Sequence, residues 1–493
     1  MPVPSHPTRR ALLFGAVGSV ALLGAGTRGP LRTGTAPRPV IPVADTAVPL
    51  DAAPVTVDLG SRTVRTWAYG DRAPGPEIRV TAGGTVSARL RNGLPQETTV
   101  HWHGVRIDPA MDGAPGLSQV PVASGDTFDY RFTAPDPGTF FYHSHVGTQL
   151  DRGMYGVLVV EDPAEPLGYD AEWTVVLDDW LDGTGTDPDT ELGTIRDTPR
   201  PARTLRSRLL GGTAGHVDYP HYLINGRTPQ APEEFTDSPG RRIRLRLVNA
   251  GADTAFRVGL GDHRLTVTHT DGFPVLPVTV DALLIGMGER YDVLVTLADG
   301  VFPLVAEAEG KDARAFAVVR TSGGDAPDPS VSVPELDRRL LTLADLVADP
   351  SVDPGDAPAR AVDLVLGRGR NGTGWTLGTA AARDVTPLRV PVSVGERVRL
   401  SFTNATRMWH PVHLHGHTFQ VRGEEGRGPR KDTVIVRPRE RVTVDVLAEN
   451  PGEWMLHCHN LYHSELGMMA TLGYGDTPPA APDSSMGGMS GTG

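Results

Sequence analysis

The residue types best suited to redox chemistry in this chain are concentrated in one stretch, W-M-L-H-C-H-N-L-Y-H-S-E-L-G-M-M, at positions 454 to 469. It contains the only cysteine, Cys458, with His457 and His459 on either side, His463 five positions later and Met468 ten positions later. A thiolate, imidazoles and a weak thioether are the ligands of a trigonal blue-copper electron-transfer site. Neighbouring side chains of an extended segment point to opposite faces, so the two flanking histidines are expected to face a different metal.

A lone cysteine is more often a small buried hydrophobic residue, and this reading has to be compared with the metal-site reading. Three further H-x-H pairs favour the metal: His101 and His103, His143 and His145, and His413 and His415. Four such pairs could also hold zinc, which favours tetrahedral nitrogen and sulfur sites. Zinc, however, would not need a separate Cys-His-Met set beside the cluster, and His410 supplies the imidazole that the cysteine site still lacks.

An internal repeat predicts the elements that position these residues. The segments G-G-T-V-S-A-R-L-R-N (83–92), G-R-R-I-R-L-R-L-V-N (240–249) and G-E-R-V-R-L-S-F-T-N (395–404) each have apolar residues at alternate positions and a final asparagine. A period of two predicts a half-buried strand, and the asparagine predicts a turn. Copies 157 and 155 residues apart indicate three similar β-domains in tandem.

The same repeat places the histidines in two of the three domains. Nine and eleven positions after the asparagine, the first copy has His101 and His103 and the third has His413 and His415, whereas the second has Val258 and Leu260. A Pro-Gly turn precedes His143 and His145, and another precedes His457 and His459. We therefore expect domains one and three to share one metal cluster and domain two to keep the fold without metal ligands.

Composition and the chain's beginning indicate an exported, acidic protein. Thr8-Arg9-Arg10 followed by an apolar run resembles a twin-arginine signal, which predicts an extracellular or periplasmic location. Removing residues 1–44 takes away five arginines and no acid, which changes the formal net charge from -12 to -17. This charge argues against nucleic acid and anionic membranes as partners. A single cysteine excludes an internal disulfide, and no membrane span is expected in the mature protein.

The motifs H-W-H-G (101–104), H-S-H (143–145), H-P-V-H-L-H-G (410–416) and H-C-H-x3-H-x4-M (457–468) resemble the four copper-binding motifs of the three-domain multicopper oxidases. The resemblance covers residues 45 to 475 and implies an all-β fold of three cupredoxin-like Greek-key β-barrel domains. The expected organisation is a twin-arginine signal and Pro-rich leader (1–44), domain one (45–165), domain two without copper ligands (166–322), a linker with a short helix at 336–347 (323–360), domain three with the type 1 copper (361–475) and a disordered tail (476–493).

The resemblance also implies a ligand set for four copper ions. A type 1 copper would be held by His410, Cys458, His463 and Met468, a type 2 copper by His101 and His413, and a type 3 pair by His103, His143, His145, His415, His457 and His459. His463 would present its edge to substrate, and Asp112 would deliver protons to the cluster; a turn residue before Gly113 is the alternative for Asp112. Ser464 stands where related bacterial enzymes often have a carboxylate, and Glu465 follows it.

The expected activity is a laccase-like oxidation of phenols or aromatic amines, with O2 reduced to water. No methionine occurs from Arg320 to Pro391, whereas cuprous oxidases of the family often carry a methionine-rich insert. The alternative is a copper-tolerance factor that acts on Cu(I) or Fe(II); a copper-free structural protein would lack ligands, and none is missing. A monomer is expected. We interpret Met486 and Met489 as part of a solvated tail, and six further histidines as surface or structural residues: His6, His216, His221, His263, His269 and His417.

Overall fold

A computed structural model of the chain describes residues 40–42, 47–197, 205–352, 355, 357–369, 372, 374–379, 387–423 and 427–475. Among these residues, six β-sheets account for most of the regular structure. No helix in the described part of the chain combines the length and the apolar character needed to cross a membrane. The expected signal sequence, His6, Met486 and Met489 lie outside the described residues.

The first domain contains nine strands: β1 (Val40–Pro42), β2 (Val48–Asp58), β3 (Thr63–Tyr69), β4 (Glu77–Thr81), β5 (Thr85–Asn92), β6 (His101–His103), β7 (Thr127–Thr133), β8 (Gly138–His143) and β9 (Tyr155–Glu161). They form a sheet in the order β1-β4-β9-β8-β6 and a second in the order β3-β2-β5-β7. Side chains from both sheets share one core. Two 3-10 helices, Pro109–Met111 and Gln149–Arg152, lie in the connections.

The second domain contains β10 (Ala171–Trp180), β11 (His221–Ile224), β12 (Glu233–Thr236), β13 (Arg242–Asn249), β14 (Phe256–Leu260), β15 (Leu265–Thr270), β16 (Phe273–Val280), β17 (Ala282–Ile285), β18 (Arg290–Thr296), β19 (Val301–Ala308), β20 (Ala313–Arg320) and helix α1 (Pro188–Asp197). Its sheets have the orders β11-β10-β13-β18-β15-β16 and β12-β20-β19-β14-β17. Their facing sides form the largest hydrophobic core of the described residues.

The third domain contains β21 (Arg360–Arg368), β22 (Trp375–Gly378), β23 (Leu388–Val392), β24 (Arg397–Asn404), β25 (His410–Leu414), β26 (Phe419–Val421), β27 (Arg430–Lys431), β28 (Thr433–Val436), β29 (Arg441–Leu447), β30 (Glu453–Cys458), β31 (Met469–Tyr474) and helix α2 (Leu461–Glu465). The sheet orders are β22-β21-β24-β29-β26-β27 and β23-β31-β30-β25-β28. Cys458 lies in the core between these sheets.

The three repeated segments form equivalent strands, each of which ends at its asparagine. The amide of Asn92 donates to the carbonyls of Gln96 and Val122, each at 2.8 Å, while its side-chain oxygen accepts from Leu94. Asn249 and Asn404 make the same pattern of bonds in their own domains. The asparagine therefore closes the turn and ties it to a neighbouring strand, which is why it recurs.

The second copy differs from the predicted half-buried strand, because both faces of β13 are buried. Ile243, Leu245 and Leu247 line the core as predicted, but Arg244 and Arg246 on the other face are also buried. Their guanidinium groups pair with buried Asp292, and Arg246 also pairs with Glu172 at 2.6 Å. Thr139 of domain one bonds to the same groups, so docking of the first domain covers the polar face of this strand.

The predicted short helix at 336–347 is wrong. The segment forms two separate 3-10 helices, Pro334–Asp337 and Leu343–Asp345. The buried residues Leu336, Leu341 and Leu346 are spaced by five positions, which would turn them about 140° apart on an α-helix. Breaking the helix lets all three reach the hydrophobic surface of domain two.

Part of the segment expected to be the Pro-rich leader (1–44) pairs with a strand of domain one. Residues 40–42 form β1, which pairs in parallel with β4, so that Val40 lies opposite Glu77. Val40–Pro42 is therefore part of a domain-one sheet, and the end of the leader stays a prediction.

Candidate metal centre

Strand register brings the histidine pairs of each domain together. In domain one, β6 runs antiparallel to β8 and His101 lies opposite His143. In domain three, β25 runs antiparallel to β30 and His413 lies opposite His457. The second histidines of three pairs lie just beyond a strand end: His145, His415 and His459. Domains one and three therefore each present two H-x-H pairs from adjacent strands.

Cys458 lies among the residues that the sequence assigned to one metal site. Its Sγ is 3.7 Å from Nδ1 of His410 and 3.5 Å from Nδ1 of His463, and the two Nδ1 atoms are 3.0 Å apart. Met468 is buried in the same core, and its carbonyl accepts a hydrogen bond from the Cys458 N–H at 3.0 Å. Thr406 Oγ1 lies 2.7 Å from Nε2 of His410 and thereby orients that ring.

Burial prepares these side chains for a cation. It raises the pKa of the Cys458 thiol, and it lowers the pKa of His410 to about 3. The imidazole is therefore neutral and has a free lone pair, whereas a thiolate at this position needs the charge of a metal ion.

The eight histidines of the four pairs form a second, larger cluster between domains one and three. Nε2 of His101 lies 3.4 Å from Nε2 of His413. The remaining six form two groups whose possible ligand atoms lie within 4.8 Å of one another: His103, His143 and His459, and His145, His415 and His457. Each group takes histidines from both domains. The two neighbours of Cys458 point away from it and belong to different groups.

The cluster fits metal ions because several of its nitrogens have no other partner. Nδ1 of His103, Nε2 of His143 and both ring nitrogens of His459 are buried without a hydrogen bond. An unsatisfied buried polar group costs about 1–3 kcal/mol, so four in one place are unfavourable without a ligand. Nitrogen-rich groups next to a thiolate-imidazole site match the ligand preferences of copper.

Two buried carboxylates orient the cluster histidines from outside. Asp112 Oδ2 lies 2.9 Å from Nδ1 of His415, and its Oδ1 lies 3.2 Å from Nδ1 of His101. Burial alone would raise the pKa of Asp112, but these two imidazoles outweigh it and hold the pKa well below its usual range. Asp432 Oδ1 lies 3.1 Å from Nε2 of His103. Asp112 therefore contacts the cluster as expected, whereas Asp432 was not identified from the sequence.

The described residues of domain two include no cluster ligand, but they form one wall of the cluster. Arg290 at the start of β18 is fully buried and donates to both oxygens of Asp432, at 2.8 and 2.6 Å. Gly288 has a positive φ of 82°, and a Cβ there would lie 2.9 Å from both His103 and His459. Only glycine fits this close approach, so the second domain does more than separate the other two.

The outer edge of His463 is covered, although the resemblance implied that substrate would meet it. His463 is 0% exposed, and its Nε2 lies 3.0 Å from Nε2 of His216 in domain two. The Trp375 ring lies 4.0 Å from the His463 ring between centroids. His216 is therefore next to a candidate ligand. No pair or repeat in the sequence distinguished it from other histidines.

A small cavity of about 20 Å³ is lined by Cys458 and by histidines of the cluster. His145, His457, Ser464 and Glu465 line it. Burial raises the pKa of Glu465 to about 6. The cavity is large enough for one water, so Glu465 lies close to the cluster even though its position in the sequence differs from the family pattern.

The other described histidines have structural contacts. His263 Nε2 accepts from the Ala298 N–H at 3.0 Å, and His417 Nε2 lies 2.7 Å from the Tyr474 hydroxyl. His221 contacts Arg62, and His269 contacts Thr268. These four positions agree with the surface or structural roles expected for them.

Comparisons with known proteins cover all three domains. Family models described as multicopper oxidase match residues 52–165, 172–324 and 358–477. Multicopper oxidase MmcO of Mycobacterium tuberculosis is 46% identical over 434 residues, which is 85% of each chain. A Copper resistance protein A homolog of Pseudomonas syringae pv. tomato is 27% identical, covering 94% of this chain and 99% of its own. The solved laccase from Botrytis aclada matches with a TM-score of 0.71 at 25% identity, covering 88% of each chain.

Proposed function

Because the chain belongs to the multicopper oxidase family, whose members are oxidoreductases with O2 as acceptor, we propose that it is a laccase-type oxidase of small phenols and aromatic amines. Its fold is all-β, with three cupredoxin-like domains. Four phenols would each lose one electron and one proton to give phenoxyl radicals. One O2 would take up the four electrons and four protons and become two waters.

The observation that carries this proposal is the position of Cys458 between two kinds of site. Its sulfur points to His410 and His463, while its sequence neighbours His457 and His459 point into the eight-histidine cluster. An electron accepted at the first site thus has a continuous covalent path to the second, through the backbone that joins Cys458 to His457 and His459. When bound, copper would supply one-electron acceptance at the first site and multi-electron O2 reduction at the second.

We propose four copper positions from these groups. The type 1 ion would take His410, Cys458, His463 and Met468, and the type 2 ion would take His101 and His413. The type 3 pair would take the remaining six: His103, His143, His459, His145, His415 and His457. Family membership implies copper, and the grouping of the side chains supports the proposed number of four ions.

The protein's own groups would hold the ligands and move protons. Asp112 and Asp432 accept N–H groups of cluster histidines, which fixes the rings and raises their basicity as ligands. Asp112 touches His101 and His415 from two different groups, so it is our candidate for proton delivery to the cluster. The buried walls from domain two exclude bulk water, and access would be limited to small molecules such as O2.

Organic donors are favoured over metal ions by the surroundings of His463. Besides His410, the rings next to His463 are those of His216 and Trp375, and the Arg368 guanidinium lies 4.1 Å from the Trp375 ring centre. A cationic substrate would be repelled by Arg368, whereas an aromatic ring can pack on these groups. Oxidation of Cu(I) or Fe(II) is the second candidate function, because the relative from Pseudomonas syringae pv. tomato is named as a Copper resistance protein A homolog.

The test compares three reductants on the copper-loaded enzyme while O2 consumption is recorded. We expect turnover of hydroquinone to exceed that of Fe(II) and Cu(I), with four hydroquinone-derived electrons used per O2. Preferred turnover of Cu(I) would replace the proposal with its alternative. Metal analysis should find four coppers per chain.

We further propose that the protein is exported by the twin-arginine route to the periplasm or exterior, which cell fractionation would test. We also propose that it is a monomer, which light scattering would test.

A further inference from the structure

We propose that His216 is the outer contact surface of the electron-accepting site and thereby determines which donors are oxidised. The inference rests on the proposed oxidation of phenols at the Cys458 site and names the residue that selects among them. In this arrangement the donor packs against His216 and Trp375, and His463 receives the electron without touching the donor.

The tautomer of His463 follows from the atoms that face Cys458. Its Nδ1 lies 3.5 Å from the sulfur and 3.0 Å from Nδ1 of His410, so Nδ1 is the ligand atom. A neutral imidazole that binds through Nδ1 carries its proton on Nε2. That N–H then donates to Nε2 of His216 at 3.0 Å. An acceptor on the outer nitrogen makes the ligand more basic and stabilises the higher metal oxidation state.

The backbone that carries His216 is fixed in place by a buried ion pair. Asp253 Oδ2 accepts from the His216 N–H at 2.8 Å and from Nζ of Lys311 at 2.9 Å. The Asp253 Oδ1 accepts from Asn460, whose own side-chain oxygen accepts from the His463 N–H at 3.2 Å. One carboxylate thus connects the loop of His216 to the helix cap at His463. A Cβ at Gly215 would collide with Asp253, so the loop can pass only with glycine there.

The contact also closes the route to His463. The His216 ring meets the His463 ring edge-on, with centroids 5.1 Å apart, and Trp375 lies against both. A bulky phenol therefore reaches His216 first. The electron leaves the phenol through the imidazole of His216, and the phenolic proton goes to water, so each event yields one phenoxyl radical, one proton and one electron.

Three substitutions distinguish the hydrogen bond between His216 and His463 from the steric covering of His463 by the His216 ring. His216→Gln keeps a hydrogen-bond acceptor near Nε2 of His463. His216→Phe keeps an aromatic ring over His463 but has no acceptor, and His216→Ala removes both the ring and the acceptor. His221→Ala is the matched control, because this half-buried histidine of domain two contacts Arg62 and none of the Cys458-site residues. The type 1 potential is measured by redox titration, and kcat/KM is measured for compact hydroquinone and bulky syringaldazine.

We expect the potential to rise in His216→Phe and His216→Ala and to stay near wild type in His216→Gln and His221→Ala. His216→Ala should increase kcat/KM for syringaldazine relative to hydroquinone by about tenfold, whereas His216→Phe should retain the wild-type preference. An unchanged potential in His216→Phe, or an unchanged preference in His216→Ala, would overturn the inference. If wild type oxidises neither phenol, the proposed function fails, and the potentials alone decide whether His216 bonds to His463.

Discussion

Replacing Arg290 by Met tests whether domain two stabilises the histidine cluster through Asp432. The Arg290 side chain is 0% exposed and makes two bonds to Asp432, at 2.8 and 2.6 Å. It also donates to the carbonyls of Thr139 at 3.1 Å and Gly288 at 2.9 Å. Methionine preserves much of the length but removes the charge and every donor, which leaves the Asp432 carboxylate buried without its cation.

The expected loss of stability is large. Breaking a buried ion pair by removing one partner costs about 3–5 kcal/mol. The two carbonyls left without a donor add about 1 kcal/mol each, although the terms are not strictly additive. We therefore expect the free energy of unfolding to fall by about 5 kcal/mol. Because Asp432 also contacts His103, metal affinity of the cluster should fall by about 10- to 100-fold.

Arg89→Met is the matched control. Arg89 and Asp129 form the same two-bonded geometry, at 2.6 and 2.9 Å, but their side chains are 50% and 59% exposed. An exposed pair contributes little to stability, because water and salt screen the attraction. Urea unfolding of the copper-free proteins, followed by tryptophan fluorescence, gives the comparison, and metal analysis gives the copper content.

The reasoning would be refuted if Arg290→Met and Arg89→Met shifted the urea midpoint equally. Adding Asp432→Asn to Arg290→Met supplies a second check, because it removes the unpaired buried charge. The double variant should recover part of the lost stability without recovering copper affinity. A double variant less stable than Arg290→Met would show that the charge on Asp432 is not the source of the cost.

Four further outcomes are expected. Cys458→Ser should abolish the blue absorption while cluster copper is retained, because a hydroxyl cannot replace the thiolate; persistence of the visible band would contradict the assignment. His101→Ala and His413→Ala should each remove the same single copper and stop O2 reduction, and the double variant should be hardly worse, as copper analysis and oxygen-electrode assays will show. Met468→Leu should raise the type 1 potential in a redox titration, and a fall would argue against Met468 as ligand. Burial would raise the pKa of Glu172, but arginine partners lower it below its ordinary value; its stabilisation is thus present above about pH 4.5 and is lost on acidification, so Glu172→Gln should flatten the acid side of the stability profile in urea titrations.

Much of the candidate site could be grouped from the sequence because its signals are local. The H-x-H pairs and the alternating apolar residues recur at fixed distances along the chain. Each of these patterns arises within a strand or between two adjacent strands of one domain. Strand geometry alone also predicted that His457 and His459 point away from the Cys458 site, toward a different metal. Single residues that support the site from a neighbouring domain gave no such signal.

Arg290, Asp432 and His216 show why the rest could not be found. Each occurs once, without a repeated spacing, and gains its role only when one domain packs on another. The helix predicted at 336–347 failed for a related reason, since its leucines bury themselves against domain two rather than along one helical face. Periodicity predicts an element, whereas docking decides which faces of it are covered.

The approach of His101 to His413 has a consequence for how long the folded protein persists. Their Nε2 atoms lie 3.4 Å apart although the two residues are 312 positions apart in the chain. A metal ion bound by both histidines would act as a removable cross-link between these two distant parts of the chain. In the chain-entropy treatment of cross-links, a loop of this length corresponds to about 6 kcal/mol of restriction on the unfolded chain. Copper supply would then govern resistance to proteolysis as well as catalysis, and a copper-starved population would be cleared faster than a loaded one.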